Sequence, residues 1–221
     1  MMKVLKYLLA MVLFAVVARA GDAASLEFVG FSQDGRFLAF EQYGIQDGSG
    51  FPYASVTVVN TTKNTLVTQV SRTIERDGAA ISQARAALNT NTVLRPYAIV
   101  AGNQGRFIGI APQAPNIRGQ RSHFVYAGRT HELELNSEFV DANEKTCPEK
   151  IEARVALKLT VAGKTRTLQK DSKLPASRAC ARAYEMKSAH LLGNTLVVFV
   201  VVHLPGFEGS DLRWMAITTK L

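Results

Sequence analysis

The sequence has only two cysteines and one tryptophan, and beyond its first twenty residues it has no apolar run long enough to cross a bilayer. A membrane-spanning helix needs about 20 such residues. The sequence also lacks the Gly-x-x-x-x-Gly-Lys loop of nucleotide-binding proteins, a dinucleotide fingerprint and the Gly-x-Ser-x-Gly turn of serine hydrolases. We therefore identify no catalytic centre in the sequence and expect no membrane span.

Basic residues outnumber acidic ones, but they are not concentrated in one part of the sequence. The chain carries 26 Lys and Arg against 18 Asp and Glu, a net charge of +8, and the basic residues are interrupted throughout by acidic and apolar ones. Proteins that bind nucleic acid concentrate basic groups on one stripe. The pattern excludes nucleic acid as the expected partner and favours a solvated surface suited to anionic neighbours such as an outer envelope layer.

The first twenty residues have the layout of a secretory signal peptide. Lys3 and Lys6 precede an uncharged apolar stretch over residues 7–17, and Ala18-Arg19-Ala20 places small residues at the two positions that a signal peptidase reads. We predict cleavage near Ala20, which leaves residues 21–221 as a single β-rich domain that is periplasmic or secreted.

The two cysteines, Cys147 and Cys180, both follow the predicted leader. An oxidising compartment favours a structural disulfide between them. The alternative is a redox-active or metal-binding thiol pair, but the close Cys-x-x-Cys spacing typical of that chemistry is absent.

Alternating apolar residues and β-branched side chains predict a mainly β fold of antiparallel sheets, either sandwich-like or built like propeller blades. Residues 195–204 are almost all Val, Leu and Phe, which predicts a strand covered on both faces. The predicted strands are residues 26–31, 36–43, 54–60, 66–70, 107–111, 123–126, 132–135, 151–161, 166–169, 184–191, 195–204 and 212–218.

One segment departs from this pattern. Over residues 72–94, Ile74, Ile81 and Leu88 recur seven apart with alanines between them, which predicts a helix packed on a sheet through Ile81, Ala84 and Leu88. Gly78 weakens the middle of this segment, so the helix alternatively begins there with Asp77 as its cap. Residues 112–122 and 137–149 are rich in Pro, Asn, Gly and charge and are predicted to be loops.

Two parts of the chain share a pattern of turn, strand, Gly-rich acidic loop and returning strand. They are residues 34–59 and 193–217. Repeated units of this kind build propeller blades and related stacked sheets, although we identify no middle copies.

Residues 31–40, Phe-Ser-Gln-Asp-Gly-Arg-Phe-Leu-Ala-Phe, resemble the start of a blade in the periplasmic TolB-type propeller proteins. More broadly, the leader, residues 28–60 and the closing segment 206–211 are similar to a family of predicted secreted bacterial proteins of unknown function. This similarity covers nearly all of the chain after the leader. It implies a bacterial, periplasmic protein and implies no activity.

The two acidic glycine-rich loops are the candidate sites. Asp47, Glu208 and Asp211 are the candidate ligands for a hard cation such as calcium, because carboxylates beside glycines suit such an ion. The alternative is that these residues only form hairpin turns, since neither loop has the regular spacing of a calcium motif.

Aromatic residues lie in or beside the same loops. Phe51, Tyr53, Phe207 and Trp214 form a possible binding surface for a peptide or a glycan, or else cover the ends of the sheets. We therefore expect a non-catalytic periplasmic binding or envelope-assembly module. The alternative is a metal-assisted hydrolase that uses the acidic loops or His123 and His131, which lie on neighbouring predicted strands.

Overall fold

The computed structural model describes residues 21–110, 119–145 and 147–221. The predicted leader and its cleavage position, and part of the predicted loop at 112–122, lie outside the described residues. Within them the chain forms three four-stranded antiparallel sheets. The first sheet has the order β1-β2-β3-β4, with strands β1 (Ser25–Phe31), β2 (Phe37–Ile45), β3 (Pro52–Asn60) and β4 (Thr65–Thr73).

The third sheet is inserted into the sequence of the central one. The central sheet has the order β12-β11-β10-β5, so it is begun by a strand before the insertion and completed by three strands after it. Its strands are β5 (Arg106–Gly109), β10 (Ala183–Leu192), β11 (Thr195–Pro205) and β12 (Ser210–Lys220). The third sheet comprises β6 (Gln120–Tyr126), β7 (Arg129–Asp141), β8 (Ile151–Val161) and β9 (Lys164–Lys170), in that order.

Strand β11 lies between two hydrophobic cores, which confirms the prediction of a strand covered on both faces. Successive side chains of a strand point to opposite faces of its sheet. Val198 and Val200 join the core shared with the third sheet, whereas Val197 and Phe199 join the core shared with the first sheet. The three sheets therefore stack face to face, with the central sheet as the middle layer.

A short helix covers the outer face of the first sheet. Helix α1 spans Ile81–Ala87 and is followed by α2 (Thr90–Leu94). Ala84 and Leu88 are buried against Val56 and Val58 of β3. Arg85 of α1 also donates from Nε to Oε1 of the buried Glu41 at 2.7 Å, which ties the helix to β2.

The helix is shorter than the sequence predicts. Residues 72 and 73 belong to β4, and the residue before the first helical turn is Ala80 rather than Asp77. Gly78 has a φ of +69°, a left-handed conformation that interrupts a helix but suits glycine. The seven-residue repeat of Ile74, Ile81 and Leu88 therefore spans a strand end, a turn and a helix.

Two predicted loops are partly strand. Residues 120–122 begin β6, and residues 137–141 extend β7, where Ser137, Phe139 and Asp141 pair with Val155, Ala153 and Ile151 of β8. The polar composition of these segments reflects strand faces that are partly exposed. None of the three described sheets closes into a barrel, and the TolB-type propeller detail is not confirmed. Among the described residues, no helix has the length and apolar character to cross a membrane.

Candidate functional site

A cleft of about 680 Å³ opens where the edges of the three sheets meet. Strands β4, β12 and β9 are the last strands of the first, central and third sheets. Asn64, in the turn before β4, holds them together: its Nδ2 donates to Gln169 Oε1 of β9 at 2.8 Å, and its Oδ1 accepts the backbone N–H of Thr218 of β12 at 2.8 Å. We call this space the edge cleft.

One wall of the edge cleft is the inner face of β3 and β4. The two faces of β3 differ sharply, since Ala54, Val56 and Val58 pack under the helix while Ser55 and Thr57 line the cleft. The neighbouring residues of β4 that line the cleft are the polar Gln69, Ser71 and Thr73, together with Leu66.

Thr57 is the unusual member of this wall. Thr57 is 4% exposed, and its Oγ1 has no hydrogen-bond partner among the described residues. A buried hydroxyl without a partner costs about 1 to 3 kcal/mol. Thr57 lines the cleft, so its hydroxyl is a polar group of this wall that still has a hydrogen bond to make.

The opposite wall is formed by β12. Trp214, Met215 and Ala216 line the cleft there. The backbone N–H of Trp214 donates to Gln42 Oε1 at 3.0 Å, and its indole Nε1–H donates to the carbonyl of Ala24 at 2.7 Å. The tryptophan is therefore fixed by both of its N–H groups and presents a rigid aromatic surface.

A buried ion pair closes one end of the cleft. Asp22 is buried and accepts from Arg213 Nη2 at Oδ2 (2.6 Å) and from the Tyr53 hydroxyl at Oδ1 (2.8 Å). Burial raises the pKa of Asp22, and the charge of Arg213 and the hydrogen bond from Tyr53 oppose this. Gly44 lies against the pair, because a Cβ there would be 2.9 Å from the Tyr53 hydroxyl and 3.0 Å from Asp22 Oδ1.

The second arginine that lines the cleft is also paired with a carboxylate. Arg178, in the short 3-10 turn at Ala176–Arg178, is paired with the buried Asp171 and donates to the Tyr184 hydroxyl at 3.2 Å. Burial alone lowers the pKa of Arg178, but the hydrogen bond to Asp171 and the neighbouring Tyr184 raise it overall. Both arginines that line the cleft thus have carboxylate partners.

The two acidic glycine-rich loops, one with Asp47 and the other with Glu208, lie side by side. Asp47 Oδ2 accepts the backbone N–H of Glu208 at 2.9 Å, and Asp211 Oδ1 accepts the backbone N–H of Asp22 at 3.0 Å. Among the described residues no three His, Cys, Asp or Glu side chains are grouped to hold a metal ion. The calcium site at Asp47, Glu208 and Asp211 stays a prediction.

The four predicted aromatic residues divide into two groups. Tyr53 and Trp214 line the edge cleft. Phe51 is half-buried and does not line the cleft, and Phe207 is 83% exposed at the tip of the β11–β12 hairpin, near Gly48. A surface that combines all four residues stays a prediction.

His123 and His131 lie on neighbouring strands, as predicted, but on opposite faces of the third sheet. His123 is directly opposite Glu132, with Nε2 and Oε2 2.8 Å apart, whereas His131 is opposite Phe124 and stacks on it with ring centroids 5.0 Å apart. Cross-strand neighbours share a face, and adjacent residues of a strand do not. This geometry separates the two imidazoles.

The two cysteines are both buried and interact with each other. Burial, followed by the hydrogen bond to Cys147, raises the pKa of Cys180 to about 12. A thiol with so high a pKa is a poor nucleophile. The disulfide itself stays a prediction.

Sequence reasoning did not identify Thr57, Asp22 or Arg178 as parts of a site. The signal that was available is the alternation in β3, where small polar residues and small apolar residues occupy opposite faces. Which of these faces meets a cleft depends on contacts between strands far apart in the chain.

The family model described as "Predicted secreted protein (DUF2259)" matches residues 39–220. No curated protein matches the chain. Among solved structures, the crystal structure of kievitone hydratase from Nectria haematococca has a TM-score of 0.21 and 10% sequence identity, over 90% of this chain and 64% of that chain. The chain therefore spans less than two thirds of that protein, and a likeness at this TM-score carries no argument about activity.

Proposed function

Because the chain belongs to the family described as "Predicted secreted protein (DUF2259)", we propose that it is a non-catalytic binding protein that works outside the cytoplasm and takes its ligand in the edge cleft. The observation that carries the proposal is the unpartnered hydroxyl of Thr57 in the wall of the cleft. Ligand sites are commonly pre-formed concave spaces of about 300 to 1,000 Å³ with a few convergent polar groups.

The rigidity of the walls supports this reading. Both walls are strands, and their relative position is fixed by hydrogen bonds that backbone N–H groups of β12 donate to the side chains of Gln42 and Asn64. A pre-formed site loses little conformational entropy on binding. The cleft is therefore suited to holding a small ligand without rearrangement of the sheets.

Trp214 makes the proposal directly testable. It is the one tryptophan in the sequence and it lines the cleft, so the intrinsic tryptophan fluorescence of the whole protein reports from this site. We expect small-molecule and peptide fractions from the producing cells' envelope to change the emission and to protect Trp214 from acrylamide quenching. No change with any fraction, together with turnover of a substrate in an activity screen, would contradict the proposal.

We propose further that the protein is exported and cleaved near Ala20, and that it acts in the periplasm. The sequence of the first twenty residues and the family description support export. Mass spectrometry of the protein from its own cells tests this, since a mature chain that begins near Gly21 is expected. An intact amino terminus in the cytosol would be inconsistent with it.

We also propose that Cys147 and Cys180 form a structural disulfide after export. Their burial and mutual hydrogen bond support this pairing, because an oxidising compartment converts neighbouring thiols to a disulfide.

The alternative function, a metal-assisted hydrolase, uses the acidic loops or the two histidines. No specific observation favours it, since Asp47 and Asp211 accept backbone N–H groups and the two imidazoles lie on opposite faces. An envelope protein, a peptide and a glycan are the candidate partners of the cleft.

A further inference from the structure

We propose that the ligand of the edge cleft is a short neutral carbohydrate. The inference rests on the proposed function, since it names the ligand class of the same site. Three features support it. The two walls of the cleft are hydroxylated and aromatic, the arginines that line the cleft are paired with carboxylates, and backbone N–H groups at the edge of β12 are already hydrogen-bonded.

The first argument is the composition of the polar wall. Most of the side chains that line it carry hydroxyl or amide groups, which both donate and accept hydrogen bonds. Sugar hydroxyls have the same dual capacity, so each can be matched without leaving a buried group unpaired. The wall residues are Gln42, Gln46, Ser55, Thr57, Gln69, Ser71 and Thr73.

The second argument is the electrostatic character of the cleft. The cations that line it, Arg178 and Arg213, are paired with the buried carboxylates of Asp171 and Asp22. An anionic ligand would have to compete with these partners, and removing one partner of a buried pair is costly. The walls therefore favour an uncharged ligand over a phosphate or a carboxylate.

The third argument is the aromatic surface opposite the hydroxyl wall. Trp214 is half-buried in the cleft and held at both N–H groups, whereas Tyr53 lines the cleft from β3, on the same face as Ser55 and Thr57. Aromatic rings offer apolar area to the C–H groups of a sugar while the polar wall meets its hydroxyls. A ligand with one apolar and one hydroxylated side fits between the two.

The backbone edge of β12 disfavours an extended peptide. A peptide that extended the central sheet would pair with the outward N–H groups of β12. Two of these are already taken, since Trp214 donates to Gln42 Oε1 and Thr218 donates to Asn64 Oδ1. The edge is thus capped by side chains at the positions that a peptide strand would need.

The test is a titration of the mature protein with pure probes, followed by Trp214 fluorescence and calorimetry. The probes are maltotriose, cellotriose and chitotriose as neutral sugars, a trigalacturonate as the anionic sugar, and an uncharged Ser- and Val-containing hexapeptide. We expect saturable binding of at least one neutral sugar and none of the anionic sugar or the peptide.

Variants connect the binding to the cleft. Thr57→Val keeps the shape of the side chain and removes the hydroxyl, so we expect the Kd for the neutral sugar to rise about fivefold to tenfold, as for the loss of one hydrogen bond. Ser71→Ala is exposed on β4 and cannot unfold the core, and we expect a weaker effect of the same sign. Thr68→Val is the matched control, since Thr68 is on the same strand as Ser71 but does not line the cleft.

The outcomes separate the two proposals. Binding of a neutral sugar that Thr57→Val and Ser71→Ala weaken and Thr68→Val does not supports both. Binding of the anionic sugar or the peptide instead, with the same variant pattern, overturns the carbohydrate assignment and keeps the binding function. If no pure probe binds while an envelope fraction still protects Trp214 from quenching, the carbohydrate assignment falls alone. If that fraction also has no effect, both proposals fall.

Discussion

Arg213 Nη2 lies 2.6 Å from Asp22 Oδ2, although the two residues are 191 positions apart in the chain. The contact places the start of the predicted mature protein against β12, the last strand of the central sheet. The bridge between Ala23 and Leu212 continues this contact through the backbone. Asp22 and Ala23 are therefore packed against β12.

Replacing Arg213 is expected to destabilise the protein. Arg213→Met leaves the Asp22 carboxylate buried with the Tyr53 hydroxyl as its donor, and we expect the free energy of unfolding to fall by about 2 kcal/mol, less than for a fully buried pair because Arg213 is partly exposed. Urea unfolding measures the change. Lys150→Met is the control, since its partner Glu144 is exposed, and a similar loss there would contradict the interpretation.

A double-mutant cycle isolates the pair. Asp22→Asn removes the buried charge, and the combination of Asp22→Asn with Arg213→Met is expected to lose less than the sum of the single changes. Strict additivity would show that the two side chains do not interact in solution.

The unpartnered hydroxyl of Thr57 predicts a gain in stability on its removal. In the ligand-free protein, Thr57→Val is expected to raise the free energy of unfolding by about 1 kcal/mol, since valine has the same shape and no polar atom to desolvate. Thermal and urea unfolding beside Thr68→Val give the comparison. A destabilised Thr57→Val variant would mean that the hydroxyl has a partner in the free protein.

The thiol pair predicts a measurable contribution to stability. A disulfide that closes a loop of about 33 residues stabilises the folded state by about 4 kcal/mol in the chain-entropy account. We expect no free thiol in the denatured, unreduced protein, and a lower unfolding midpoint after reduction or in Cys147→Ala with Cys180→Ala. Two titratable thiols in protein from its natural compartment would contradict the pairing.

Asp34 predicts a loss of stability in acid. The backbone N–H of Arg36, then the hydroxyl of Ser32 and the side chain of Arg36, lower the pKa of Asp34 to about 2. A carboxyl with a lowered pKa stabilises the folded state above its unfolded pKa of 3.8, and this stability is lost as the pH falls through about 2. The wild type is therefore expected to have a higher urea midpoint than Asp34→Asn at pH 6, with a smaller difference near pH 2.

A chelator tests whether the acidic loops hold a metal ion, because removal of a bound ion would lower the unfolding temperature. Asp47 and Asp211 already accept backbone N–H groups, so we expect a chelator to leave the unfolding temperature unchanged and elemental analysis to find no stoichiometric calcium. Asp47→Asn provides the comparison. Stoichiometric calcium that is lost in Asp47→Asn would instead establish the cation site at Asp47, Glu208 and Asp211.

Much of the fold follows from local pattern. The unbroken apolar run in β11 identified the strand at the middle of the stack, because a strand buried on both faces needs apolar residues at every position. The sequence predicts the start of the helix wrongly, because the spacing of Ile74 and Ile81 resembles a helical repeat whereas Gly78 forms a left-handed turn between them.

Less of the candidate site can be predicted from local sequence pattern. Tyr53 and Trp214 were identified as a possible surface from their position beside glycine-rich loops, and both line the cleft. Thr57 and Asp22 were not, because nothing local distinguishes them from ordinary strand and terminal residues. Their roles arise from contacts such as Asp22 with Arg213, which sequence periodicity does not encode.

The insertion of β6 to β9 between β5 and β10 has a consequence for how the chain matures. As the chain emerges amino end first during synthesis, the first and third sheets can assemble early, since each is a run of consecutive hairpins. The cores on both faces of the central sheet nevertheless include residues of β11, so neither core can close until Thr195–Pro205, near the carboxyl end, has emerged. During that interval the inner faces of two preassembled sheets are exposed. A translation stop before β11 would leave only the core between the first sheet and its helix, and the uncovered inner faces would be available to holdase chaperones or proteases.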